Sequence, residues 1–394
     1  MTMTSTASNV PVLLDGFRTP FGRYMKSLRG MSARQLGAHV VEGLVSRHEM
    51  LRTCDGVLLA QVLQGGHGQN PARQVAVSGG VDTRVPALTL NNVCLGGMAA
   101  IADASRRIRC DEGRSYVVGG VDSMSGAMHA GYVRAGASMR SLEMVDTLST
   151  DGLWCALQDE SMGSLSDRAN ADLGIDREVQ DRIALRSHQR AAQARDDKRL
   201  ADEILPIGSG EQTVLNDEGI RDDASLAGLG GLRPAFSDPG TITAGNASQM
   251  TDGAAIGAVT SMGVAERAGV RPLARVVACA EVAGPDARLH LQPARAIEKV
   301  LARTGLRLAE VGIVEINEAF AGVVEASRRE LSLPLDIVNV NGGAIALGHP
   351  LGGTGFRLAL TLARELVRRG ERYGVASLCG GGGQGAAVLL ENTR

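Results

Sequence analysis

Short apolar runs alternate with stretches of helical apolar spacing along most of this chain. Residues 10–14 form an apolar run closed by Asp15-Gly16 and predict a strand, and 36–47 carry the spacing of a helix. The runs at 56–62 and 87–93 predict two more strands, the second delivering Cys94 to a turn. Helical spacing returns at 98–109, and 115–118 predicts a strand running into Gly119-Gly120. Further on, 253–268 reads as a helix, 274–280 as a strand, 293–303 as a helix and Ile313–Ile316 as a strand. The last part predicts helices over 320–331 and 353–369, then a strand over 375–378 that delivers Cys379 to its turn. Strands alternating with helices predict an α/β architecture with buried sheets.

Between these stretches, from about 123 to 243, strand signals fade and Met, Ser, Gly and charged residues dominate. One polar helix is expected there, over 179–197. The pattern divides the chain into a first half, 1–122 with 244–271, an inserted loop domain, 123–243, and a second half, 272–394. Each half runs a short strand into a cysteine followed by glycines, which suggests a duplicated unit.

At 394 residues the chain can bury a large core. A formal net charge of −2 provides no global field for nucleic acid or an acidic membrane surface. Lysine appears only at Lys26, Lys198 and Lys299; the remaining basic residues are arginine, which suits phosphate recognition. The cysteines, at 54, 94, 110, 155, 279 and 379, show neither close pairing nor metal-ligand spacing and predict free thiols. Residues 1–9 lack the order of a secretory signal, and no apolar run reaches the roughly 20 residues of a membrane span. The expectation is a cytoplasmic protein without membrane or nucleic-acid partners.

Four stretches carry candidate chemistry. Cys94, in Asn91-Asn92-Val93-Cys94-Leu95-Gly96-Gly97, is either a small buried hydrophobe or a nucleophile. The helix start just after it would favour a thiolate, and the glycines would let a carbonyl approach. His349, in Gly348-His349-Pro350, lies in an apolar loop before a helix, a setting that fixes the ring as a base or an oxyanion donor needs. Cys379 opens Cys379-Gly380-Gly381-Gly382-Gly383-Gln384-Gly385. No Gly-Lys-Ser/Thr follows, so a phosphate loop is the weaker reading; backbone amides aimed at a carbonyl oxygen, with the thiol as proton carrier, fit better. For Asn317-Glu318 two readings stand: a helix cap with its acidic neighbour on the dipole, or a side-chain amide holding a water or an oxyanion.

Together and in this order, these stretches resemble the thiolases. The likeness extends to Arg18-Thr19-Pro20-Phe21-Gly22, Gly119-Gly120-Val121-Asp122-Ser123-Met124-Ser125, Asp151-Gly152-Leu153-Trp154, Leu232-Arg233-Pro234-Ala235-Phe236 and Thr243-Ala244-Gly245-Asn246-Ala247-Ser248. It covers nearly the whole chain. It implies two similar α/β halves in a five-layered α-β-α-β-α arrangement with an inserted loop domain. It also implies reversible, CoA-dependent cleavage of 3-ketoacyl-CoA, or the reverse Claisen condensation. By resemblance Cys94 is the acylated nucleophile, His349 its activator and Cys379 the acid/base at the acetyl methyl carbon. Asn317, through a water, joins His349 in one oxyanion hole, and the amides of Cys94 and Gly381 form the other. Arg221 matches a contact to the nucleotide side of CoA and Ser248 one to the pantetheine arm. Ala247 and Met162 match substrate-side positions, and Ala319 and Phe320 match the tunnel lining. Coenzyme A is a substrate, and neither a separate cofactor nor a metal is implied. Residues 128–146, including Arg134-Ala135-Gly136, resemble a tetramerisation loop, so a homotetramer is expected.

The chain departs from the family pattern at Ser161, where short-chain enzymes have histidine, and at Leu95-Gly96-Gly97 after the nucleophile. Ile316 replaces a histidine common in degradative enzymes. The stretch Arg288-Leu289-His290-Leu291-Gln292-Pro293 lacks a Met-Gly-x-Gly-Pro loop, and a polar His290 near the pocket wall would suit a longer or more polar acyl chain. A decarboxylating ketoacyl synthase would use one cysteine and two histidines, and the Cys379 stretch argues against it. A non-catalytic relative would have lost one of the four residues, and all four are here.

Overall fold

The computed structural model describes residues 7–134, 141–208 and 210–394. The first half supplies strands β1 (Pro11–Arg18), β2 (Gly56–Ala60), β3 (Ala87–Leu90), β4 (Ser115–Ser123) and β5 (Thr251–Ser261). The second supplies β6 (Ala274–Ala283), β7 (Ile313–Ile316), β8 (Tyr373–Gly380) and β9 (Gln384–Asn392). The main helices are α1 (Ala33–Arg47), α2 (Pro71–Ser78), α3 (Gly96–Arg109), α4 (Met162–Asp172), α5 (Arg177–Asp196), α6 (Gln292–Thr304), α7 (Ala321–Glu330) and α8 (Leu351–Arg369).

Neighbouring strands run β7-β8-β9-β6-β1-β5-β4-β2-β3, and Gly22–Arg23 pairs with β5. The join at β1 and β6 consists of Val12↔Arg275 and Leu13↔Ala274, so two sheets meet there along a short seam. The two halves repeat one pattern. A parallel pair (β2 with β4, β7 with β8) is followed by antiparallel partners (β5 and β1, β9 and β6).

Strand alternation builds the layers, because successive side chains face opposite sides of a sheet. In β4, Val117 and Val121 join the cluster beneath α1 and α2, whereas Tyr116 and Val118 face α3 and α8. In β9, Ala386, Val388 and Leu390 face the same two helices, and Ala387 and Leu389 face α6 and α7. The order is therefore helix, sheet, paired central helices, sheet, helix.

The helix expected over 253–268 is instead β5 followed by a short helix, Met262–Arg267. Alanine and glycine at this density suggest a helix by propensity, but β5 is buried along its whole length, with helices on both faces. Its small residues answer to space. A Cβ on Gly257 would lie 2.3 Å from the Asp15 carbonyl and 2.4 Å from the Phe356 ring. Strand β9 and helices α2 and α4 escaped the sequence pattern.

Candidate active site

The central helices bring the site together. Cys94 lies two residues before α3, and His349 two residues before α8. These helices touch at their N-terminal glycines. A Cβ on Gly97 would come 2.7 Å from the Gly352 carbonyl, and one on Gly355 would come 2.4 Å from the Met98 amide. Only glycine permits that approach, and it draws the two helix starts together. Cys94 thus corresponds in the repeat to His349. Cys379, at the end of β8, corresponds to the end of β4, near Asp122 and Ser123. The duplication is real, but the two cysteines do not hold matching places in it.

His349 is buried and held on every side. Its amide donates to Thr251 Oγ1 at 2.9 Å. Gly348 turns at φ +113°, and a Cβ there would strike the Thr251 side chain at 2.4 Å. Thr354 gives its single hydroxyl hydrogen to the Pro350 carbonyl at 2.8 Å. At 2.7 Å from His349 Nδ1 the same oxygen must therefore accept, which places the ring proton on Nδ1 and leaves Nε2 with its lone pair. Nε2 faces Asn317 Nδ2 at 3.4 Å. Burial, with the Arg357 charge adding to it, holds the imidazole down at about 3, so the resting ring is neutral.

Asn317 does not cap a helix: α7 begins at Ala321 after Phe320, which provides no side-chain cap. Its amide Oδ1 is buried without a partner among the described residues. Glu318 does not serve a helix dipole either. It accepts from Ser187 Oγ at 2.6 Å, Asn339 Nδ2 at 3.0 Å and the Ile345 amide at 3.1 Å, fixing the loop that leads to His349.

Burial pushes the Cys94 thiol up to about 12, and the nearby Asp122 carboxylate adds to the rise. The amides of Cys94 and Gly381, aimed at the sulfur, pull the other way and lose. The thiolate favoured by a helix start is thus not the resting form. Burial, then the charge of Cys94, also raise Cys379, so neither thiol lies near neutrality. Asp122 receives the amides of Val62, Leu63 and Gly352, at 3.1, 2.9 and 2.7 Å, and so anchors the start of α8 to the wall beside Cys94.

Met162, Ala247, Ala319 and Phe320 gather around Cys379, together with Ile242, Leu289 and Val323. Phe236 meets Phe320 edge-on at 6.1 Å between ring centroids. The Ser248 amide donates to the Ala319 carbonyl at 3.0 Å, at the rim of this cluster. Arg221 is exposed and stands apart from it, and its amide donates to His188 Nδ1 at 3.3 Å. Gln249 Nε2 donates at 2.9 Å to both the Gly219 and Ile345 carbonyls, tying the segment before Arg221 to the His349 loop. Arg18 reaches the same segment through a two-pronged bond to Asp217, at 2.6 and 2.9 Å.

Ser161 caps α4, its Oγ accepting from the Ser164 amide at 3.0 Å. His290 is not on the pocket wall; its ring turns away to Asn170 Oδ1 at 2.8 Å, and its neighbour Leu289 lines the cluster instead. Thr354 carried no sequence signal beyond standing five residues after His349, and Thr251, 98 residues before it, carried none. Residues 135–140 of the tetramerisation loop expected over 128–146 lie outside the described residues.

A model of the thiolase N-terminal domain matches residues 11–262, and one of the C-terminal domain matches 270–392. The chain belongs to the thiolase family. It is 45% identical over 386 residues to a probable acetyl-CoA acetyltransferase of Mycobacterium tuberculosis, covering 96% of this chain and 98% of that protein. It is 38% identical to the acetyl-CoA acetyltransferase of Shinella zoogloeoides over 390 residues, 98% of this chain and 100% of the relative. The crystal structure of the Bacillus anthracis acetyl-CoA acetyltransferase superposes with a TM-score of 0.93 at 35% identity, covering 97% and 98% of the two chains. This thiolase is therefore an acyltransferase of CoA-dependent Claisen cleavage or condensation.

Proposed function

We propose that this thiolase cleaves a 3-ketoacyl-CoA through an acyl-Cys94 intermediate. Its support is the convergence of Cys94 and His349 at crossing helix starts, with the Gly381 amide of the Cys379 loop aimed at the Cys94 sulfur. His349 Nε2 takes the Cys94 proton as sulfur attacks the 3-keto carbon. The amides of Cys94 and Gly381, aimed at that sulfur, hold the new oxyanion on the carbon it has attacked. The bond between carbons 2 and 3 breaks, and its electron pair forms the enolate of acetyl-CoA. The Cys379 thiol protonates that carbon, while the Nε2–H formed on His349 and a water held by Asn317 donate to the thioester oxygen of the enolate. The CoA thiol then gives its proton to the Cys379 thiolate as its sulfur attacks acyl-Cys94; the Cys94–acyl bond breaks, Cys94 recovers its proton from His349, and the shortened acyl-CoA leaves. Condensation runs these steps backwards.

Met162, Ala247, Ala319 and Phe320 would line the path of the substrate, Ser248 would meet the pantetheine arm, and Arg221 the nucleotide end. We further propose a homotetramer that acts in the cytoplasm. Paired segments His129–Ala130 and Val145–Asp146 form an arm that exposes Met128, Tyr132, Val133, Leu142 and Met144, apolar surface suited to burial against another copy. Light scattering of the purified protein would check that state; a monomer would remove it.

The chemical assignment is tested with thiolysis assays and intact-mass measurement. Cys94→Ala should form no acyl-enzyme. Cys379→Ala should still acylate from a ready thioester yet fail to exchange the acetyl methyl protons. Full condensation activity in Cys379→Ala would overturn the role given to Cys379.

A further inference from the structure

Helix α8 has a polar stripe where none is needed for solvent. Thr354, Arg357, Thr361 and Glu365 follow one another at helical spacing, and all are buried. Arg357 is completely enclosed, and none of its three nitrogens has a hydrogen-bond partner among the described residues. Its nearest acidic neighbour is Glu315 of β7, also fully enclosed, at 3.6 Å and with both oxygens unpartnered, its carboxyl pushed up to about 8 by burial. So costly a buried pair stabilises the fold weakly and calls for another explanation.

Its position supplies one. Glu315 and Asn317 are two residues apart at the end of β7 and so point to the same side of the strand. His349, Thr354 and Arg357 follow one another at the start of α8, Thr354 holding the His349 ring. Strand end and helix start are thus joined by two contacts, Asn317 with His349 and Glu315 with Arg357. We propose that Glu315 and Arg357 are positioning residues that keep His349 uncharged and in register with Asn317. This rests on His349 being the base that serves Cys94.

A fixed cation near the ring opposes imidazolium, so the base stays available as pH falls. The other charges felt by Arg357 are Glu203 from the loop domain, Arg18 from β1 and Glu318 after β7. Glu203 is engaged by Arg18 and Thr361, and Glu318 by Ser187, Asn339 and Ile345. Glu315 is left as the partner that keeps Arg357 in place.

The test is the pH profile of Cys94 acylation by a ready thioester in the full-length protein. R357M/E315Q removes the Arg357 cation together with its acidic partner, so neither is left buried without the other. Asp122 beside Cys94, pushed up to about 7 by burial, titrates in every variant; beyond the change shared with wild type and R357K, R357M/E315Q should lose about five-fold or more of its acylation rate from about pH 7.5 to 5. E315Q, which keeps the cation but loses its tether, should be slower at every pH with an unchanged profile shape. A folded R357M/E315Q whose profile superimposes on wild type would overturn the inference. If that variant does not fold, an E315Q enzyme as fast as wild type would overturn it instead. H349N separates the two levels. Acylation unimpaired in H349N would remove the base assignment itself, whereas its loss beside an R357M/E315Q profile that superimposes on wild type would remove this inference alone.

Discussion

His349 Nε2 and Asn317 Nδ2 stand 3.4 Å apart across the boundary between α8 and the end of β7. The contact is long for a hydrogen bond and leaves the nitrogen lone pair accessible. Because Thr354 accepts from Nδ1, the ring presents that lone pair as its working edge. Thr354→Val should leave Nδ1 buried and unpaired, costing about 1–3 kcal/mol, and release the tautomer. Acylation should slow by about ten-fold or more. Thr354→Ser should retain most of the rate in the same assay.

The glycine contacts that bring α3 to α8 allow no side chain. Gly97→Ala would place a methyl group 2.7 Å from the Gly352 carbonyl, against backbone that cannot rotate away. We expect a loss of about 1–3 kcal/mol in denaturant unfolding, with a larger proportional loss of activity as the helix starts separate. Gly30→Ala, which meets nothing within 4 Å, is the control.

Neither thiol should ionise on its own near neutrality, since burial holds Cys94 at about 12 and Cys379 higher than an ordinary thiol. The ultraviolet thiolate absorbance of wild type minus that of Cys94→Ala should stay flat between about pH 6 and 9. A rise centred in that range would contradict the neutral resting thiol.

Two buried histidines should make the fold acid-sensitive. Burial holds His188 and His290 down at about 4, below the usual 6.5. Between these limits the unfolded chain binds protons that the folded chain refuses, so stability is full above about pH 6.5 and falls towards about pH 4. His290→Gln keeps a donor for Asn170 without titrating. Its unfolding free energy should drop less between about pH 7 and 5 than that of wild type.

Arg221 should separate binding from chemistry. It is exposed and outside the cluster around Cys379, so Arg221→Ala should raise KM for CoA by about three- to ten-fold with kcat nearly unchanged. An equal fall in kcat would contradict a role confined to binding the nucleotide end of CoA.

Cys94, His349 and Cys379 were legible because each stands among glycines or prolines that break the surrounding pattern, and Asn317 because it closes a short apolar strand. Hydrophobic alternation likewise marked most strands and all three long helices of the second half. It failed at β5, where small residues look helical in isolation and are explained only by the helices pressed on both faces. Asn317 remained divided between helix cap and oxyanion partner, because a sequence does not reveal where the next helix begins. His290 seemed to face substrate, whereas packing turned it towards Asn170.

By itself the sequence determined the α/β alternation, the residues able to do chemistry and the thiolase likeness, since those depend on local spacing and residue type. Tertiary structure decided which groups meet and in what charge state. It made Cys94 the counterpart of His349 rather than of Cys379, kept both thiols neutral and enclosed Arg357 beside Glu315. Burial and long-range contact set these properties, and both arise between segments distant in sequence that only the folded chain brings together.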